Sequence, residues 1–149
     1  MARNRVQAGR LARRKGKEFE REIVRRLIDA GIDTKRGWWQ AKSGADVPDV
    51  LVDGFWLEAS TGGSVDPEGK LKQALAQTVT WAKMQGRDEF PYPVAITRQR
   101  SSRTIVVTMY LCDLCTVLTN EPWNAAEIPV SFRFDTLVDL IKRRQAREQ

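Results

Sequence analysis

PDVLVDGFWLEAS, residues 48–60, predicts a β-hairpin, because two short apolar runs flank Asp53-Gly54, a dipeptide favoured in two-residue turns. Such a turn fixes the strand register and places Asp49 directly opposite Glu58 on one face of the ribbon. Opposed residues of an antiparallel pair have Cβ atoms roughly 4.5–5.5 Å apart, and like charges at that spacing destabilise the pair. The two carboxylates therefore need an explanation.

Two interpretations of this acid pair are open. A hard divalent cation such as Mg²⁺ takes one or two protein carboxylates, keeps several waters and lets a phosphate complete its coordination. Alternatively, Asp49 and Glu58 lie at an exposed strand edge, where water solvates both. The hairpin alone does not choose between a metal site and a solvated edge.

Periodicity and turn signals outside the hairpin predict one mixed α/β domain. The order is helix, three-strand antiparallel meander, helix, two further strands and C-terminal helices. The predicted elements are a helix at 16–30, a strand at 34–40, the hairpin strands 49–52 and 55–60, a helix at 67–85 with Leu71, Leu75, Val79 and Ala82 on one face, strands at 93–97 and 104–110, a helix at 111–118, a strand at 130–134 and a helix at 136–147.

Positive charge is concentrated at the N-terminus. The chain has 25 Lys and Arg against 19 Asp and Glu, a formal charge of +6, and residues 1–17 include no acid. We expect a basic N-terminal arm at 1–15 and a single domain at 16–149. The arm is either a solvated tail or a phosphate-binding segment. Its candidate contact residues, with the start of the domain, are Arg10, Arg13, Arg14, Lys15 and Lys17.

Composition removes several classes of mechanism. The chain has no His, which excludes Ser-His-Asp and Cys-His catalysis and most catalytic zinc sites. Cys112 and Cys115 form a CxxC without a second pair, which favours packing in a helix over metal or redox work. No run approaches the ~20 apolar residues of a membrane span. We expect a cytoplasmic protein whose chemistry uses carboxylates, Lys and a hard metal ion.

The first predicted helix carries an acid in an unexpected place. Its apolar stripe contains Phe19 and Ile23, and at 100° per residue Glu20 projects into the middle of that stripe. An unpaired buried carboxylate costs several kcal/mol. Glu20 therefore either belongs to a metal site or is paired with a nearby Arg or Lys.

Five short motifs between residues 16 and 97 occur in an order and spacing that resemble a known family. They are GKEFEREI at 16–23, Ser43-Gly44, Pro48-Asp49-Val50, Leu57-Glu58-Ala59-Ser60 and QALAQ at 73–77. This pattern resembles the PD-(D/E)xK nucleases, and most closely the archaeal-type Holliday junction resolvases and related small phage endonucleases. The resemblance implies a restriction-endonuclease-like core.

The resemblance also implies roles for individual residues. Asp49 and Glu58, with the carbonyl of Ala59, match the groups that ligate the metal, Mg²⁺ or Mn²⁺. Glu20 matches the helix acid that positions a metal-bound water. Ser43 matches a small polar residue near the metal site and the DNA backbone, or it is an ordinary loop serine.

One position departs from the family pattern. The lysine that helps to orient and deprotonate the attacking water is expected at position 60, where this chain has Ser60. Ser60 shares the strand face of Glu58 and can hydrogen-bond a water, but it brings no positive charge. Lys72 is our first candidate for the replacement, unless it is a surface lysine, and Lys42 and Lys70 are weaker candidates.

Two further groups of side chains have open interpretations. Trp38 and Trp39 are adjacent in the first predicted strand and so face opposite ways; at least one is expected in the core, and the other could stack on bases or fill a dimer interface. Arg98, Arg100 and Arg103 lie between two predicted strands, as phosphate contacts or as a solvated turn.

The resemblance implies a Mg²⁺-dependent endodeoxyribonuclease of DNA recombination that hydrolyses phosphodiester bonds in branched DNA. It further implies a homodimer in a prokaryotic cell or a phage-infected host. The alternative is a nuclease-fold protein that has lost catalysis and binds DNA by shape and charge, for which Ser60 is the main argument. A protein-protein adaptor with a Trp-rich surface is a third class.

Overall fold

The computed structural model describes residues 2–37, 47–124 and 127–149. Its element order confirms the predicted mixed α/β class, with the antiparallel meander between the first two helices. The elements of the described residues are α1 Ala2–Asp29, β1 Lys35–Arg36, β2 Val50–Val52, β3 Phe55–Gly62, α2 Pro67–Met84, β4 Tyr92–Gln99, β5 Val106–Tyr110, α3 Leu111–Thr119, β6 Pro129–Arg133 and α4 Phe134–Arg147.

The hairpin has the predicted register. Val52 pairs with Phe55 across the turn, and Val50 pairs with Leu57. Gly54 has a φ of +78°, a conformation that costs glycine little and other residues more. A Cβ at this position would also meet the Arg144 side chain of α4.

The six strands of the described residues form one sheet in the order β1-β2-β3-β4-β5-β6. β3 and β4 are parallel and are joined through α2, while the other neighbouring pairs are antiparallel. The main core lies between one face of the sheet and the helices α1 and α4, where Phe19 and Leu137 are fully buried. α2 covers the opposite face, packing Leu71 near Ala95.

α2 has clear start and stop signals but a different buried face from the predicted one. The Asp66 carboxylate accepts a hydrogen bond from the Gly69 amide at 3.0 Å, and Pro67 occupies the first helical position. The buried residues are Leu71, Ala74, Thr78 and Ala82. Leu75 and Val79, predicted on the buried face, are half-buried at its margin, because the smaller Ala74 and Thr78 allow closer approach to the sheet.

α1 begins at Ala2, so the predicted helix start at residue 16 is wrong. Residues 2–15 include five Arg and three Ala, which are good helix formers and outweigh Gly9. Residues 4–18 are exposed except for the half-buried Gly16, so this part of α1 stands away from the core that begins at Phe19. The basic arm is therefore helical and continuous with the domain.

β1 ends at Arg36, and Trp38, Trp39, Lys42 and Ser43 lie outside the described residues. None of the described helices combines the length and the apolar composition that crossing a membrane requires.

Candidate active site

Asp49 and Glu58 approach each other at the open end of the hairpin. One step beyond the Val50–Leu57 pair, the register places Asp49 opposite Glu58, as predicted. The Asp49 carboxylate is held by the backbone of the partner strand, because the Ala59 amide donates to Asp49 Oδ2 at 2.9 Å. The two acids therefore occupy the same end of the ribbon, on the face that α2 covers.

Glu58 is a buried acid, with 2% of its surface exposed, so the predicted alternative of a solvated strand edge does not describe it. The Trp56 indole donates to Glu58 Oε1 at 3.3 Å, and Lys70 Nζ lies 3.4 Å from Glu58 Oε2. Burial and the negative charge of Asp49 raise the pKa of Glu58 to about 7, although Lys70 and Trp56 act in the opposite direction. The site therefore disfavours the ionised form of Glu58.

The lysine beside these acids is Lys70, in the first turns of α2. Lys70 is half-buried and contacts Glu58, whereas Lys72 is exposed and lines a separate cavity with Tyr110 and Glu127. The preference for Lys72 over Lys70 is thus not supported by the structure. Gln77 lies on the same edge of α2 as Lys70 and accepts a hydrogen bond from the Trp56 indole at 3.0 Å.

Ser60 and Ala59 follow Glu58 along β3. Ser60 is half-buried, pairs in register with Thr97 of β4, and by the alternation of a strand shares the face of Glu58. Ala59 packs its methyl group against the main core on the other face. Position 60, where the sequence resemblance predicts a lysine, therefore shares the strand face of Glu58 but carries a hydroxyl.

Glu20 does not join the other two acids. Its carboxylate binds Arg36 of β1, with Nη2 at 2.7 Å and Nε at 3.0 Å from Glu20 Oε2. Both side chains are largely buried, at 20% and 14% exposed. Among residues 2–37, 47–124 and 127–149, no group of three or more acidic or cysteine side chains is placed to hold a metal ion. The predicted convergence of three acids is not found there, and Arg36 is the partner that the alternative interpretation required.

The candidate phosphate-contacting residues differ in how far their side chains are exposed to solvent. The five candidate contacts on α1 are all exposed: Arg10, Arg13, Arg14, Lys15 and Lys17. Arg14 forms a solvent-exposed pair with Glu18 at 3.5 Å. Arg100 is also exposed.

Arg98 is instead engaged within the fold. Its Nη1 donates to Glu22 Oε2 at 2.8 Å, and its guanidinium carbon lies 4.6 Å from the centroid of the Phe19 ring. These contacts join β4 to α1. Arg98 is therefore a structural residue in this conformation.

The acid pair is chemically suited to a hard divalent cation. Asp49 and Glu58 supply two carboxylates and Ala59 a backbone carbonyl, and Mg²⁺ commonly accepts so few protein ligands while waters and a substrate phosphate complete its shell. Burial, and after it the charge of Asp49, raise the pKa of Glu58 even though Lys70 is in contact with it. The donor chemistry fits a metal, and Glu20 is not part of the donor set in this conformation.

No family model matches the chain, and no curated protein matches it at a significant level. Among solved structures, the chain is similar to Hjc, a Holliday junction resolvase from the archaeal hyperthermophile Archaeoglobus fulgidus. The two share 16% identity over 60% of this chain and 72% of that one, with a TM-score of 0.39. A similarity of this size establishes neither a shared family nor a shared activity.

Proposed function

We propose that this protein is a metal-dependent nuclease that hydrolyses phosphodiester bonds in DNA. The observation that carries the proposal is the grouping of Asp49, Glu58 and Lys70: two carboxylates on one face of a hairpin, with a lysine ammonium 3.4 Å from one of them. A carboxylate pair with an adjacent lysine can bind a cation, orient a water and stabilise the charge that develops on a phosphate.

Each residue has a specific part in this proposal. Asp49, Glu58 and the carbonyl of Ala59 would hold Mg²⁺ or Mn²⁺, which when bound lowers the pKa of a water and neutralises phosphate charge. The Ala59 amide fixes the Asp49 carboxylate and so limits its rotation. Lys70 supplies from α2 the positive charge that Ser60 does not supply from β3. Ser60 orients a water by its hydroxyl.

The exposed basic face of α1 would bind the flanking phosphates. Arg10, Arg13 and Lys17 project from α1, whose residues 2–17 include no acid, so this segment adds positive charge without an acid of its own. Arg100 adds a second contact region at the end of β4. We extend the proposal to branched DNA and to a homodimer that cuts two strands, and the first experiment tests the substrate directly.

The test is a cleavage assay on duplex, flap, fork and four-way junction DNA with Mg²⁺, Mn²⁺ or EDTA. We expect metal-dependent nicking that Asp49→Asn abolishes. Lys70→Met should lower the rate about 100-fold or more, the usual effect of losing one preorganised charge or donor. Lys72→Met is the matched control: it removes an exposed lysine two residues away and should leave the rate unchanged.

A second candidate function is DNA binding without cleavage. The Lys70–Glu58 ion pair and Ser60 favour it, because an ammonium next to the acid can take the place of a metal in a structural role. Binding that is equal in EDTA and in Mg²⁺, with no nicking of any of the four substrates, would support this candidate against the nuclease. A rate that Lys70→Met and Lys72→Met lower equally would contradict the role of Lys70.

A further inference from the structure

A cavity of about 640 Å³ lies between the β2–β3 hairpin and the C-terminal end of α2. Trp56, Trp81 and Leu51 give it an apolar wall, and Arg87 lines it near Trp81. The two indoles contact each other edge to face, with centroids 6.2 Å apart and an interplanar angle of 61°. The wall is therefore aromatic and held in a fixed arrangement.

The end of α2 positions Arg87 at this cavity. Gly86 has a φ of +63°, the Arg87 amide donates to the Ala82 carbonyl at 2.9 Å, and the Gly86 amide donates to the Lys83 carbonyl at 3.2 Å. This is the Schellman arrangement, which reverses the chain after a helix. As a result the Arg87 guanidinium carbon lies 5.4 Å from the centroid of the Trp81 ring.

Trp56 links the cavity to the acid pair. Trp56 precedes Glu58 by two residues on the same face of β3, a separation of about 7 Å along a strand. The indole of Trp56 that lines the cavity also donates to Glu58 Oε1 at 3.3 Å. A group held against the Trp56–Trp81 wall thus lies about one nucleotide away from a phosphate held at the acid pair.

The charges around the cavity favour a neutral occupant. Lys35 and Arg87 line it together with Asp33 and Asp53, so cations and carboxylates are balanced. A phosphate would therefore find no net positive charge to balance its own. A nucleobase is flat and uncharged, stacks on aromatic and guanidinium groups, and presents donors and acceptors to both kinds of side chain.

We propose that this cavity binds an unpaired nucleobase of the DNA strand whose backbone lies at Asp49 and Glu58. The proposal rests on the proposed function and narrows its substrate: bases in a duplex are stacked and paired, so a cavity of this kind selects strands with unpaired bases, as at flaps, forks and bubbles. Stacking on Trp81 is tolerant of sequence, because every base has a π-face.

The experiment uses DNA bubbles and flaps with the fluorescent base 2-aminopurine at an unpaired position, and a fully paired duplex as comparison, all in EDTA to prevent cleavage. We expect the unpaired 2-aminopurine to be quenched on binding to the wild-type protein. Trp81→Ala should weaken binding of the bubble about tenfold or more and leave duplex binding unchanged. Trp81→Phe, which keeps an aromatic face, should retain most of the affinity.

The matched control is Trp123→Ala, since Trp123 is 49% exposed and does not line this cavity. Arg87→Gln tests the same cavity by a substitution outside the helix, in case Trp81→Ala impairs folding. Unquenched 2-aminopurine in the bound complex, or equal losses for Trp81→Ala and Trp123→Ala, would overturn the proposal.

The failure of this proposal is distinguishable from the failure of the nuclease proposal. Metal-dependent cleavage of duplex and bubble at equal rates, unaffected by Trp81→Ala, overturns base binding and leaves the nuclease intact. Quenching that depends on Trp81, in a protein that cleaves none of the substrates, supports base binding and overturns the nuclease.

Discussion

Replacing Glu58 by Gln should stabilise the metal-free protein at alkaline pH. The glutamine side chain has the shape of the glutamate and can still accept the Trp56 hydrogen bond, but it has no charge. Burial and Asp49 raise the pKa of Glu58 from 4.5 to about 7 in the folded protein. The folded state therefore binds more protons than the unfolded chain between these two values, and stability falls as pH rises through that window.

The magnitude follows from the difference between the two pKa values. At about 1.4 kcal/mol per pH unit, ionising Glu58 in the folded protein costs roughly 3 kcal/mol more than in the unfolded chain. Below pH 4.5 the acid is neutral in both states and the substitution should have little effect. Most of the roughly 3 kcal/mol should develop between pH 5 and pH 8, where Glu58 becomes ionised.

Urea unfolding in EDTA at pH 5, 6, 7 and 8, on the wild type and Glu58→Gln, measures this difference. The comparison cancels other groups, including Asp113, whose pKa is also raised, to about 6, by burial and by Glu127. We expect the free energy of unfolding of the two proteins to diverge with pH, with Glu58→Gln the more stable at pH 8. A constant difference across the four pH values would refute the reasoning that Glu58 is buried beside an uncompensated acid.

Three further predictions concern the other parts of the molecule. Arg98→Ala should lower the free energy of unfolding by about 1–2 kcal/mol, because it removes an ion pair and a cation–π contact with α1. Arg100→Ala should instead weaken DNA binding and leave urea unfolding unchanged. Replacing Arg10 and Arg13 together by Gln should reduce the slope of log affinity against log salt by about 2 in a fluorescence anisotropy titration, and an unchanged slope would remove α1 from the DNA contact. Gly86→Ala should cost about 1 kcal/mol in the same unfolding assay, because its φ is +63°.

The hairpin shows how much of the fold the sequence determines locally. Asp53-Gly54 allows a two-residue turn, and that turn alone sets the pairing of Val50 with Leu57 and the meeting of Asp49 with Glu58. The later strands and helices were also predictable within a few residues, and α2 carries clear Asp, Pro and Gly signals at its ends, whereas the strand predicted at 34–40 extends beyond the described residues. The start of α1 was not predictable, since Gly9 and Gly16 suggest interruptions that the surrounding helix formers override.

Whether Lys70 or Lys72 lies beside Glu58 depends on a tertiary contact that no local sequence signal specifies. The sequence favours the stripe through Leu75 and Val79, whereas the sheet packs against the smaller Ala74 and Thr78, which rotates the buried face by about 50° at 100° per residue. That rotation moves Lys70 toward Glu58 and leaves Lys72 in solvent. Side-chain size at the helix-sheet contact, rather than total hydrophobicity, therefore decides which lysine reaches the acids.

The pairing of Glu20 with Arg36 was open in the sequence for a similar reason. Arg36 reaches Glu20 only because β1 pairs with β2 and runs beside α1, a contact between residues sixteen positions apart. Periodicity identifies an acid on an apolar stripe, but it does not identify the partner. With Glu20 neutralised by Arg36, the candidate site has two carboxylates from the hairpin and none from α1.

The electrostatics of these two carboxylates differ from those of a salt bridge that stabilises a fold. A salt bridge that stabilises a fold lowers the pKa of its acid, since the cation favours the ionised form. Here Lys70 is in contact with Glu58, yet the pKa of Glu58 is raised to about 7, because burial and Asp49 outweigh the ammonium. An apolar side chain at position 58 would avoid this cost on a strand that already carries Trp56 and Leu57. The two carboxylates carry more negative charge than the Lys70 ammonium balances. A divalent cation bound to one carboxylate oxygen of each acid would balance the remainder. The stability measurement and the cleavage assay therefore both depend on the charge of Asp49 and Glu58.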